Sequence, residues 1–353
     1  MQDEGKGTVM TKAAIFIPSN RKLEESIEPI WSAISYAQAR GMNVVISDNS
    51  GEGDKRDYFA AAPSHVTYLA NGPEVGPENA LAAINATDAD FVMMLGDDDL
   101  IGMDESYQSF DFSVTGADVI GVKPRIDIVS GAGEVTDTNA FTIDGLDAAG
   151  RVIEYSRKMN GGNSTFYSFF RRDAFHSLLD IFARQHPTRV GNADFAIVYA
   201  LVAGGRIIHD PSTIVRYDNS HWDDEAAAGA SMKGIFSSAG LPEDARQYML
   251  LFHFLDAYVF MFRKSSLLAP VESYKAAYAV AMVFLKRLLY RMKESPFLYH
   301  AASDLVEPLA LAVESADPDL DLIFEVASRV ADRVKPGLKQ QYDHFLQAVA
   351  KGE

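Results

Sequence analysis

The sequence predicts an α/β fold in which a mostly parallel sheet is flanked by helices and followed by a C-terminal α-helical region. Three observations predict it. Short apolar runs of strand length alternate with stretches of helical periodicity through the first half of the chain. Polar and acidic clusters stand where those apolar runs end. After Leu241 the strand signals stop, and prolines precede long periodic apolar stretches.

The elements follow in order. AAIFIP, from Ala13 to Pro18, is a short buried strand, and the stretch from Leu23 to Arg40 is a helix that Gly41 ends. MNVVIS, from Met42 to Ser47, completes a βαβ unit. VTYLAN supplies a third strand, Glu78 to Ala86 a helix, and FVMMLG a fourth strand that runs into three aspartates. Right-handed crossovers then place the helices on both faces, and ligands of such sheets bind beyond the carboxyl ends of the strands. PSNR, SDNS and GDDDLIG all fall at that edge.

Asp97, Asp98 and Asp99 are adjacent carboxylates that repel one another unless something neutralises them. A divalent cation does so, with phosphate oxygens of a ligand completing its shell. An acidic turn or helix N-terminus is the alternative, because aspartate caps helices without any ligand.

Bulk properties narrow the functions. The chain has 353 residues and a formal net charge of −17, which argues against nucleic acid as a partner, since phosphate backbones select a basic footprint. It has no cysteine, which excludes disulfides, thiolate metal sites and cysteine nucleophiles. The first twenty residues lack the basic start and long apolar core of a secretory signal, so a cytoplasmic protein is expected. MLLFHFLDAYVFMF and AAYAVAMVFL are shorter than the ~20 residues a membrane-spanning helix needs and are expected to be buried helices.

Three pieces carry a resemblance: AAIFIPSNR, an apolar strand ending in Pro with Asn-Arg after it; VVISDNS, an acidic turn; and FVMMLGDDDL, a DxD motif. In that order and spacing the segment from Ala13 to Gly102 resembles the nucleotide-sugar-binding half of glycosyltransferase family 2, which has the GT-A fold. The resemblance continues more weakly through GGNSTFYSFFRRDAF and GNADFAIVYALVAGGRIIHDPSTIVRY, to Tyr217. It implies a metal-dependent, inverting glycosyltransferase that uses Mn²⁺ or Mg²⁺. Such an enzyme moves a sugar from a nucleoside diphosphate donor to a hydroxyl of a saccharide or lipid-linked saccharide, as in surface polysaccharide synthesis.

The resemblance also implies roles. Pro18, Asn20, Arg21, Asp48, Asn79, Asp97 and Asp98 would contact the nucleotide sugar, and Asp97, Asp99 and His221 would contact the metal. Asp194, in GNADF, matches the carboxylate that takes the acceptor's proton; an N-cap of the helix FAIVYALVAGG, expected to be amphipathic, is the other explanation. The chain departs from the family in having Ser47 before Asp48, where two acids are common, and Pro77 and Glu78 before Asn79, where an arginine is common. The donor base therefore stays open among UDP, foremost, GDP and dTDP. His221 is equally explained as a plain histidine, Trp222 either stacks on a sugar face or packs within the protein, and Arg171 and Arg172 are better explained as solvated charges than as diphosphate contacts. A nucleotidyltransferase, a retaining transferase and a non-catalytic nucleotide-sugar-binding module are the competing functions; against the first, PSNRKLEE has no glycine.

The expected organisation is a catalytic domain over 1–222, a flexible linker or lid over 223–240 and a helical domain over 241–353. The segment from Gly131 to Gly150 is a surface loop or a second lid, and its Asp137, Asp144 and Asp147 are reserve candidates for the base. In the tail, a bundle of about four or five helices, Lys286, Arg287, Arg291 and Lys293 gather on FLKRLLYRMK. They form a solvated face or a peripheral contact with anionic lipid at the inner membrane face, and the bundle itself offers a surface for a homo-oligomer.

Overall fold

The computed structural model describes residues 12–71, 76–189, 193–222 and 224–352. The N-terminal segment read for a signal, through residue 11, lies outside them, as do Gly191 and Asn192 of GNADF and Asp223.

The chain runs β1 (Ala13–Ser19), α1 (Leu23–Arg40), β2 (Asn43–Asp48), α2 (Gly53–Phe59), β3 (Val66–Ala70), α3 (Gly76–Asn85), β4 (Phe91–Met94) and β5 (Leu100–Met103). It continues with β6 (Val119–Val129), β7 (Val135–Asn139), α4 (Ala148–Lys158), β8 (Phe169–Arg171), α5 (Arg172–Gln185), α6 (Ala193–Gly204) and β9 (Arg206–Asp218). The rest is helical: α7 (Glu225–Ser238), α8 (Met249–Met261), α9 (Pro270–Glu294), α10 (Val306–Val313), α11 (Leu320–Val334) and α12 (Leu338–Lys351). The α/β class with a helical C-terminal region is thus present.

One curled sheet has the order β3-β2-β1-β4-β8-β6-β9-β5, with β7 beside β6. The first four strands are parallel, as is the long β6/β9 pair. β8 is antiparallel to both β4 and β6 and joins the two parallel parts. Alternate residues of β1 serve the two faces: Ala14 and Phe16 enter one core, Ile15 and Ile17 the other, against Ile30 and Ile34 of α1. A strand buried on both sides reads as an unbroken apolar run, which is why AAIFIP was legible. Gly41 adopts φ +65°, the left-handed conformation that closes α1 where the sequence places its end.

Several expectations need correction. α6 is not amphipathic: Ala193 and every residue from Ala196 to Ala203 are buried, because α4, α5 and α8 cover it. Most of the segment 223–240 is the helix α7. The segment from Gly131 to Gly150 supplies β7, and its Asp147 caps α4 by accepting from the Gly150 amide at 2.7 Å. Residues Leu250 to Met261 of α8 are all buried, and α8 and α9 share one continuous core with β1 and α6. Among the described residues no helix is long and apolar enough to cross a membrane. Lys286, Arg287 and Lys293 are exposed on α9 beside Tyr290, with Lys293 lying 3.7 Å from Glu314.

Because sheet and tail share a core, the chain should unfold as one unit. Both tryptophans, Trp31 and Trp222, report the α/β part, whereas far-ultraviolet circular dichroism reports mainly helices. In urea the two signals are expected to share one midpoint. Leu255→Ala, at a fully buried position of α8, should lower the unfolding free energy by about 2–5 kcal/mol and move both midpoints down together. Separate midpoints would show that the tail folds as its own domain.

Candidate active site

The register of β1 with β2 sets Ser19 beside Asp48 at the carboxyl edge of the sheet, and the turn after β4 brings Asp97 to the same place. The side chains there form one connected network. Asp97 Oδ2 accepts from Ser19 Oγ at 2.6 Å and from the amides of Asn20 and Arg21 at 3.1 Å, while Arg21 Nε lies 3.3 Å from Asp97 Oδ1. Arg21 Nη2 also donates to Asp98. Lys55, fully buried on α2, donates to Ser19 Oγ at 2.6 Å and to the Arg21 carbonyl at 2.8 Å, and pairs with Asp48 at 3.2 Å. Asp48 takes further bonds from Tyr68 Oη at 2.6 Å and Ser50 Oγ at 2.9 Å.

These contacts place the expected nucleotide-sugar residues. Arg21, Asp48, Asp97 and Asp98 are brought together, Pro18 is half-buried on the strand leading in, and Asn20 is exposed on the loop above. Asn79 is buried within the protein: its amide donates to the Ser47 carbonyl at 2.8 Å and accepts from Ser47 Oγ at 2.8 Å, bracing the turn that carries Asp48. Arg171 and Arg172 lie at the start of β4, away from the triplet, where they bond the Val119 and Ile84 carbonyls. A diphosphate contact from either is excluded by that position.

Asp99 differs from its neighbours. Its Oδ1 accepts from the Asp218 amide at 2.9 Å and the Tyr167 hydroxyl stands beside the carboxylate, while Oδ2 is buried without a well-directed hydrogen bond. Burial, followed by the charge of Asp98, pushes its carboxyl up to about 7. Burial also raises Asp98, against the pull of Arg21. A side chain on Gly96 would fill the space these two face: its Cβ would stand 2.5 Å from Asp99 Oδ2 and 2.6 Å from Asp98 Oδ1.

Those two oxygens are the part of the site that suits a hard divalent cation. Among the described residues no three His, Asp or Glu side chains converge to hold a metal by themselves. The donors therefore fit Mg²⁺ or Mn²⁺ held by one or two carboxylates with ligand phosphates completing the shell. Asp97 has both oxygens engaged, and His221 is exposed in the turn after β9.

Across the crevice stands Asp194, in the first turn of α6. Asn163 Nδ2 donates to its Oδ2 at 2.8 Å, and Tyr155 Oη donates to Asn163 Oδ1 at 2.6 Å. Asp194 keeps an accessible edge but sits in apolar surroundings, and this desolvation raises its pKa against the Asn163 bond. Tyr217, at the end of β9, links the two sides. Burial first, and then the charges of Asp99, Asp98 and Asp194, push its phenol far above the ordinary range. Its ring lies 5.4 Å from that of Tyr167.

Lys55, Asn163, Tyr167 and Tyr217 are site residues that the sequence analysis did not single out. Lys55 sits in the polar heptapeptide GDKRDYF, and the other three enter through the antiparallel β8 and the late strand β9. The one available signal was their place in the two weaker matching segments.

Lys55→Met would leave Asp48 and Asp97 buried without their ammonium. It is expected to lower unfolding free energy in urea by about 3–5 kcal/mol, the scale for breaking a buried ion pair. A loss below about 1 kcal/mol would place the pair with solvent-screened surface contacts.

No family model matches the chain, and no curated protein sequence matches it. Solved structures of S. aureus TarS are similar in shape. The 1–349 fragment in complex with UDP-GlcNAc is 11% identical, with 97% of this chain and 93% of that one covered and a TM-score of 0.48. Its complex with UDP is 10% identical, with 97% and 92% covered and a TM-score of 0.45. TarS itself is 12% identical, with 90% and 55% covered and a TM-score of 0.41. Each TM-score is below 0.5, and the chemistry of the site is read from its own geometry.

Proposed function

We propose that the protein is a metal-dependent, inverting glycosyltransferase of the GT-A type that takes a nucleoside diphosphate sugar, UDP-linked in the first instance, and glycosylates a saccharide hydroxyl. The observation that carries this reading is the pairing across Tyr217 of two unlike carboxylate sites: the Asp98 and Asp99 oxygens facing the space beside Gly96, and the desolvated Asp194. Two carboxylate sites kept apart, one for charge and one for a proton, are what displacement of a diphosphate by a hydroxyl requires.

Mg²⁺ or Mn²⁺ bound by Asp99 and Asp98 would neutralise charge on the departing diphosphate. Arg21, already beside Asp97 and Asp98, adds positive charge at the same edge. Asp194 accepts the acceptor hydroxyl's proton while that oxygen bonds to the anomeric carbon. The bond from that carbon to the diphosphate breaks, and its electron pair leaves with the nucleotide. Asn163 holds Asp194 in place, and Tyr167 and Tyr217 keep water from the space between.

Two measurements test this reading. Asp99 can hold a cation only when ionised, so Mn²⁺ should raise the thermal midpoint in the presence of UDP. Its apparent affinity should climb about tenfold per pH unit up to about 7, then level off. Without a cation the sign is reversed: a carboxyl raised in the folded state favours the protonated protein, and that contribution fades as pH rises through about 7. Gly96→Ala, whose methyl would crowd both oxygens, should lose the Mn²⁺ response. Equal binding of UDP, GDP and dTDP in EDTA and in Mn²⁺ would remove the metal from the proposal.

For the base, Asp194→Asn should keep donor binding while turnover falls ~10²-fold or more. The wild-type turnover should lose its base on the acid side above the ordinary aspartate range, because burial raises Asp194. Near-normal transfer by Asp194→Asn would dismiss the base and leave a helix cap.

A further inference from the structure

The last residues described before α6 and its first turn, which carries Asp194, both meet a single face of α8. At the α5 flank, His186 is buried with its Nε2 2.9 Å from Asp256 Oδ1, off the line of a good hydrogen bond, and Asp256 Oδ1 also accepts from Tyr342 of α12 at 2.8 Å. His186 Nδ1 accepts from the amides of Arg189 at 3.1 Å and Thr188 at 3.3 Å. Nδ1 is therefore the acceptor of the ring, and the Nε2 edge lies against Asp256. At the α6 flank, His253 stacks on Phe195, the residue after Asp194, with ring centroids 4.6 Å apart and planes 14° from parallel. The other side of His253 meets Phe284 of α9 at 5.2 Å.

His253 and Asp256 are three residues apart on α8 and so share one face of that helix. His253 is buried with both ring nitrogens unbonded. With its nitrogens unbonded, His253 acts on its neighbours through the stacked ring. Behind both grips stands the shared core of α8, α9, α11 and α12.

We propose that His253 and Asp256 are positioning residues that fix the first turn of α6, and with it Asp194, so that the helical tail forms part of the catalytic apparatus. The assignment rests on the reading of Asp194 as the base, but the grip itself can be judged without turnover. Loosening either flank would let water reach Asp194 and release it from its desolvated setting. The groups around Asp194 are Asn163, Tyr155 of α4 and Tyr217 of β9, with Asp98 and Asp99 beyond Tyr217. Both phenols stay neutral through the range in which aspartate titrates. His253, pushed down to about 4 by burial, is the nearest base behind the helix, and replacing it by phenylalanine separates its ring from its titration.

The test is a carboxyl ¹³C titration of full-length protein labelled at aspartate, with the Asp194 signal identified by its loss in Asp194→Asn. His253→Ala and Asp256→Asn are each expected to lower the Asp194 titration midpoint by about one pH unit, a tenfold change in its protonation constant. His253→Phe, which keeps the stacked ring, should restore the wild-type midpoint, and Tyr342→Phe should give a smaller shift in the same direction as Asp256→Asn. In donor hydrolysis the shifted variants should lose turnover with little change in KM. An unchanged Asp194 midpoint in the folded variants would overturn the proposal, as would failure of His253→Phe to restore it. Full turnover by Asp194→Asn would instead overturn the base assignment, and the titration would still decide whether the tail sets that carboxyl's environment.

Discussion

The carboxyl edge of the sheet depends on one buried ammonium. Lys55 reaches between β1 and β2 to touch Asp48, Ser19 and the carbonyl of Arg21, and through Ser19 it acts on Asp97. Without it, Asp48 at the end of β2 and Asp97 in the turn after β4 would set like charges on either side of β1 in a medium too dry to screen them. With it, Asp48 and Asp97 become fixed struts that shape the loops after β1 and β2. No ammonium or guanidinium pairs with Asp99 among the described residues, and its buried Oδ2 is where a ligand gains most by supplying charge.

The parts legible in sequence were those governed by local rules. β1, β2 and β4 are buried on both faces and therefore read as continuous apolar runs, and Gly41 marks the end of α1 by its backbone freedom. The acidic triplet stood out because it follows such a run. What was hidden depends on contacts distant in sequence. α6 looked one-sided because nothing local announces that α8 will cover its other face. Lys55 lies in the polar stretch GDKRDYF, where nothing local marks it for burial, and only the registration of β1 with β2 draws it inside. Tyr167 reaches the triplet because β8 runs backwards between β4 and β6, and Tyr217 because β9 pairs antiparallel with β5, reversals that the steady strand–helix alternation of the first hundred residues does not foretell.

Charge and proton handling are divided between the two kinds of structure in the chain. The cation-suited oxygens lie on the turn after a parallel strand, held by neighbouring strand ends. The desolvated carboxylate lies on a helix whose surroundings are helices, and its elevated pKa is a property of that apolar packing. A site assembled in this way can change its proton affinity through the helical layer without disturbing the sheet edge that carries the acidic triplet.

The short strand β7 has a consequence for how the molecule meets its own kind. It lies along the distal part of β6, and four of its five residues, Val135 to Thr138, are exposed. Its outer rim carries threonines and Asp137, and the side chain of Asp137 already accepts from the amide of Thr138 at 2.8 Å. A strand arriving from another molecule would find a short, hydrophilic, partly self-satisfied border instead of an adhesive template. Together with a net charge of −17, that border favours a chain that stays dispersed when crowded and resists growing its sheet from one copy into the next.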